Sequence, residues 1–177
     1  MSNVRQHQVQ ELLRQIREAI AAHSYFLALY VSLTIPDICG ALEADDGQVS
    51  RARYIAWFDR YIAPNYTIRG HATLTGEVCY YYRCAVLHQG RARYPKLGYS
   101  RILFAEPGAN TTVFHNKVLN DALNIDVSVF CGELLAGAEA WLVDNQASPN
   151  VLRNIASLMQ RHPNGLAPYL VGVPVIA

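Results

Sequence analysis

The sequence predicts a mainly α-helical fold, a bundle of five to six helices with one small β-hairpin inserted late in the chain. Three features support this. Apolar residues recur at helical spacing over residues 4–22, 49–62 and 127–144. Capping residues stand at the expected helix starts, and proline or glycine at the expected ends. Strand-like texture is confined to residues 99–105 and 111–114, which enclose Glu106-Pro-Gly-Ala-Asn110, a turn signal between two short runs.

In order along the chain, the first helix spans residues 4–22, with Val9, Leu12, Leu13, Ile16, Ala19 and Ile20 on one side. Ser24 is placed to cap a second, 25–33, which is apolar almost all round and therefore central. Pro36 interrupts it. Thr34-Ile-Pro-Asp37 resembles a capping box with proline in the first turn, so the helix is expected to kink and restart to about residue 42. Asp37 is either a cap carboxylate or a functional acid. Asp45-Asp-Gly47 is a turn, residues 49–62 a third helix ended by Pro64, and residues 65–73 a loop. Thr75 starts the next helix, with Glu77 in its first turn, and Gly90 closes it. After the hairpin, Asp126 caps a helix over 127–144 and Ser148-Pro149 starts another to about residue 161. The uncharged stretch from Gly165 onward is expected to be extended or to lie in a subunit contact.

With 177 residues the chain suits a single domain, 1–177, with one substantial core. It is 51% hydrophobic and 16% charged, which calls for a dense helical core or a buried oligomer interface. A net charge of +1 points to no partner by itself. No signal-peptide pattern opens the sequence, and the apolar run 25–35 is shorter than the roughly 20 residues a membrane-spanning helix needs. A soluble, cytoplasmic protein is expected. The four cysteines, Cys39, Cys79, Cys84 and Cys131, form no C-x-x-C pair. They read as small buried residues, with no metal and no cofactor expected.

The charge pattern has one marked feature. No Asp or Glu occurs from Val78 to Ala105, whereas Arg83, Arg91, Arg93, Lys96 and Arg101 all fall there, among Tyr80, Tyr81 and Tyr82. Arginine offers phosphate a planar, permanently charged fork, and histidine moves protons near neutral pH. Arg83 and His88 together are a minimal set for metal-free RNA cleavage: imidazole takes the ribose 2′-OH proton and guanidinium stabilises the charge building on phosphate. Five positions on a regular helix turn the side chain by about 140° overall. Convergence therefore requires His88 in an unwinding last turn, or two helices meeting across a two-fold axis. The structural alternative pairs Arg83 with Glu77, Asp37 or a carbonyl and leaves His88 as a helix-end histidine. The tyrosines serve base stacking or helix packing. His71 and His115 receive no role.

The segment Arg83-Cys-Ala-Val-Leu-His88-Gln-Gly resembles the R-x(4–6)-H signature of HEPN domains. The resemblance implies a helical bundle acting as a homodimer, in many members a metal-independent endoribonuclease of toxin–antitoxin or phage-defence systems. It implies Arg83 on the scissile phosphate and His88 as the proton carrier; Tyr82, Arg91 and Arg93 are candidate substrate contacts from the local residue pattern alone, the arginines being equally a solvated loop. RNA and an antitoxin-like protein are the partners it suggests. Active members often carry a polar residue directly after the arginine, where this chain has Cys84. Non-cleaving members bind RNA, nucleotide or protein, and that is the alternative. The whole chain also resembles a group of uncharacterised bacterial proteins with similar Pro-Asp-Ile-Cys-Gly and Trp-Phe-Asp segments, which implies no activity.

Overall fold

The computed structural model describes residues 7–93, 95–96, 98–108 and 111–177. Its helices are α1 (His7–Ala21), α2 (Tyr25–Ser32), α3 (Ile35–Glu43), α4 (Arg51–Tyr61), α5 (Gly76–Gln89), α6 (Val127–Asp144) and α7 (Pro149–Asn154). Short 3-10 turns occupy Ala63–Tyr66, Thr111–Phe114 and Ile155–Ser157.

Helix α6 is the axis, and α1, α2, α3 and α4 all pack against it. Trp141, Phe130, Leu134 and Ala138 on α6 have no exposed surface, and they meet Leu13, Ile16, Leu33 and Phe58 in one continuous core. Helix α5 joins through α4, where no side chain separates the backbones. A Cβ at Gly76 would stand 2.5 Å from the Ile55 carbonyl oxygen.

The segment Tyr25–Glu43 is long and apolar enough to cross a membrane, and is the one such stretch among the described residues. Here it is the inner layer of the bundle, 56% buried. Its two halves are nearly continuous. Thr34 has helical backbone angles, and its hydroxyl donates back to the Val31 carbonyl at 2.7 Å, so it caps nothing. Ser24 likewise makes no side-chain cap. The other predicted caps do form. Thr75 accepts from the Val78 N–H, Ser148 from Val151, and Asp126 from both Ser128 and Val129, while Ser50, which is not among the expected caps, caps α4 by accepting from Arg53. The last helix is shorter than expected, because α7 tightens into its 3-10 turn by Ser157.

The expected hairpin over residues 99–115 is corrected. After β1 (Thr67–Ile68) and β2 (His71–Ala72), strand β3 (Arg101–Ala105) is present, but residues 111–114 form a 3-10 turn. Part of the predicted turn, residues 109–110, lies outside the described residues. The true hairpin is one step later, between β4 (Lys117–Leu119) and β5 (Ala122–Asp126). Its two-residue loop, Asn120-Asp121, has φ of 49° and 58°, the left-handed pair that matches strand twist. Strand β5 is central, flanked by β4 antiparallel and β3 parallel. Two-stranded ribbons also form at Thr67–Ile68 with His71–Ala72, at Arg161–His162 with Val175–Ile176, and at Gly165–Leu166 with Leu170–Val171. The last two make the uncharged C-terminal stretch extended.

Candidate functional site

Helix α5 begins at a Thr75 cap, 3.2 Å from the Val78 N–H, and ends on Gly90 at φ 61°. The left-handed glycine lets the Arg91 N–H turn back onto the Ala85 carbonyl at 2.9 Å. The helix stays regular to Gln89, with His88 in its last turn.

Arg83 and His88 meet within one chain. Arg83 Nη1 is 2.9 Å from His88 Nε2. Neither an unwound turn nor a two-fold partner is needed, because the arginine side chain is long enough to cross the angular gap along the helix surface. A guanidinium can only donate. Nε2 is therefore the acceptor, and the His88 proton sits on Nδ1.

The opposite edge of the guanidinium is gripped by Asp37, in the first turn of α3. Nε and Nη2 lie 2.7 and 2.5 Å from the same carboxylate oxygen. The two side chains retain only 16% and 14% of their exposure, whereas His88 is exposed. Burial pushes the Asp37 carboxyl up, and the charge and hydrogen bonds of Arg83 pull against that shift. For Arg83, burial works against the charge, and Asp37 and Cys84 together more than offset it, so the guanidinium is held cationic.

Two aromatic rings back the arginine, Tyr54 at 6.0 Å and Tyr80 at 5.9 Å from its central carbon. They pack edge to face, 5.4 Å apart. Cys84 Sγ stands 3.7 Å from Nη1. The arrangement is a cation clamped on one edge by an acid, with an exposed imidazole on the other.

The remaining predicted contacts divide. Tyr82 turns inward, 5% exposed, with its ring against Phe104 at 5.4 Å, and is corrected from a substrate contact to a core residue. A tyrosine run on a helix must send one member inward, and Tyr82 lies on the side of Cys79 and Val86. Tyr80 and Tyr81 are the half-buried ones. Tyr81 carries Arg51 and Lys96, each 5.0 Å from its ring centroid. Arg91 and Arg93 are exposed in the segment leaving α5. Glu77 pairs with Arg51 and not with Arg83.

Cys39, Cys79 and Cys131 are buried and their thiols are pushed up by that burial; Cys84 is half-buried. No group of three potential metal ligands occurs among the described residues. His115 does serve the fold. Its Nδ1 accepts from the Asp126 N–H at 3.2 Å, just ahead of α6.

Comparison of the chain with protein-family profiles, curated proteins and solved structures finds no match. The chemistry of the site therefore rests on its own geometry.

Proposed function

We propose that the chain is a HEPN-like RNA-processing protein, a cytoplasmic homodimer that cleaves RNA without metal through Arg83 and His88. One observation carries this: a permanently charged phosphate ligand and an exposed imidazole lie 2.9 Å apart, with the arginine fixed from behind by Asp37. In the free protein, Arg83 occupies the lone pair of Nε2. A phosphate that takes the Nη1 hydrogen frees that lone pair for the neighbouring ribose. His88 then removes the 2′-OH proton, the 2′-oxygen attacks phosphorus, and the bond to the 5′-oxygen breaks. The 5′-oxygen is protonated from solvent, leaving a 2′,3′-cyclic phosphate and a 5′-hydroxyl. Arg83 neutralises the extra charge on the phosphoryl oxygens. Asp37 is a positioning residue, since it touches neither substrate nor reacting atoms. The exposed Arg91 and Arg93 are proposed contacts to the RNA backbone.

A second proposal is a non-catalytic module that binds RNA, nucleotide or a partner protein, such as an antitoxin. It is favoured by the Asp37 clamp, which occupies two of the guanidinium donor atoms. Incubation of the purified protein with single-stranded and structured RNA in EDTA separates the two. Cyclic phosphate ends support the endoribonuclease. Salt-sensitive binding with intact RNA supports the second proposal and removes the first.

A further inference from the structure

Arg83 engages only half of the Asp37 carboxylate. Its Nε and Nη2 both fall on Oδ2, at 2.7 and 2.5 Å. Oδ1 takes no hydrogen bond or ion pair among the described residues. It is not sealed either, since the buried side-chain polar atoms without a partner among those residues are Gln8 Oε1, Ser32 Oγ and Trp57 Nε1. Asp37 thus presents one open, charged acceptor. The space it lines is a groove of about 340 Å³ between α3, the loop before α4 and the end of α7. Burial keeps the Asp37 carboxyl pushed up even with Arg83 in place, so one guanidinium leaves its charge under-compensated.

The rest of the groove is short of donors. Its walls are Ile38 and Leu42 on α3, Val49 on the loop and Leu158 beyond α7, and neither a cation nor an aromatic ring lines it. At the other end, Asn154 donates its Nδ2 hydrogens to the Leu42 and Ala44 carbonyls, at 3.0 and 2.6 Å. That orients the amide. Its Oδ1 comes to lie beside Gly47, 3.7 Å from where a Cβ would stand, with no donor among the described residues. Gly47 belongs to the turn that carries Asp45 and Asp46, both exposed. One helix sets the spacing of the two ends. Asp37 is in the first turn of α3, and Asn154 is tied to Leu42 near its close. At ~1.5 Å per residue, the two acceptors lie roughly 8 Å apart along the helix axis.

Two acceptors, one of them charged, with an apolar wall between them call for a cation at each end and methylenes in the middle. We infer that the α3–α7 groove binds a free aliphatic diamine, doubly protonated, of about four to five methylenes. One ammonium donates to Asp37 Oδ1 and the other to Asn154 Oδ1, close to Asp45 and Asp46. The alkyl chain lies on Ile38, Val49 and Leu158. An extended chain of five methylenes separates its nitrogens by about 7.5 Å, which matches the spacing of the acceptors. The site uses the Asp37 oxygen that Arg83 leaves open, and it does not rest on the RNA reading of the Arg83–His88 pair.

The test is isothermal titration calorimetry of the full-length protein with 1,5-diaminopentane, which is expected to saturate the protein with one site. The controls are 1-aminopentane and Nα-acetyl-lysine methylamide, each with a single cation, 1,2-diaminoethane, which is too short, and pentane-1,5-diol, which is uncharged. Each binds at least about tenfold more weakly than the diamine. Val49→Phe fills the groove from a position 38% exposed and weakens diamine binding about tenfold, with an unchanged melting temperature as its fold control. Asp37→Asn weakens binding to a similar degree, with circular dichroism as its control. No saturation by the diamine overturns the site. Equal binding of 1-aminopentane or the lysine derivative overturns the diamine assignment and gives the groove to a single cation, such as a lysine of a partner protein. Affinity undiminished in folded Val49→Phe also overturns it, because the ligand then binds elsewhere.

Discussion

Arg83 is the residue on which the site turns, because it makes three kinds of contact at once: an ion pair with Asp37, a hydrogen bond to His88 and ring contacts to Tyr54 and Tyr80. Lysine reproduces only the charge. Arg83→Lys is expected to lose RNA cleavage by at least ~10²-fold while keeping the helical circular-dichroism spectrum. Asp37→Asn leaves the poorly exposed cation without its counter-charge and is expected to cost about 2 kcal/mol, read from urea unfolding midpoints. Sequence alone left Asp37 open between cap and functional acid; it sits in the first turn of α3 and its carboxylate holds the arginine. The sequence offered Asp37 as one of several partners for Arg83 and could not single it out, because the counter-charge comes from 46 positions away. A second residue-scale expectation concerns pH. Burial lowers the His115 pKa below its ordinary 6.5. The unfolded chain then binds the proton that the folded chain resists, so stability falls as pH drops through 6.5 and levels off below the folded-state pKa. Melting temperatures from pH 7.5 to 5.0 should show this fall, and His115→Asn should flatten it.

At the scale of elements, the α4–α5 contact decides where Arg83 is presented. Gly76 lets α5 start against the Ile55 backbone, where a Cβ has no room. Gly76→Ala is expected to destabilise the fold by about 2 kcal/mol. Gly137→Ala should cost less, because its nearest obstruction is the Ile62 Cδ1 methyl, which can rotate away. Calorimetry of the two variants checks the order. Helices were the legible elements because caps and 3.6-residue periodicity are local: α6 begins and ends where Asp126 and its apolar spacing put it. Strand pairing is not local. The Pro-Gly signal at residues 107–108 drew attention from Asn120-Asp121, which tolerates the left-handed angles that a two-residue hairpin demands. The parallel β3–β5 pairing had no local signature at all.

For the whole molecule, the bundle closes its core around α6 and leaves the Arg83–His88 pair at the surface end of α5. What sequence could not resolve was direction: five positions on a helix predict divergence, and only the length and flexibility of arginine bring the groups together. One chain therefore holds a complete pair, and the proposed dimer is not required to build it. Sedimentation at micromolar concentration is expected to show a dimer whose Arg83→Ala variant retains the same mass, since that contact is internal. The most direct measurement is a single-turnover RNA cleavage series in EDTA, comparing wild type, Arg83→Ala, His88→Ala and the double variant. If the two groups act as one unit, both single variants fall to the same residual rate and the double variant falls no further. Undiminished cleavage in either single variant, or losses that multiply in the double, would contradict a shared site.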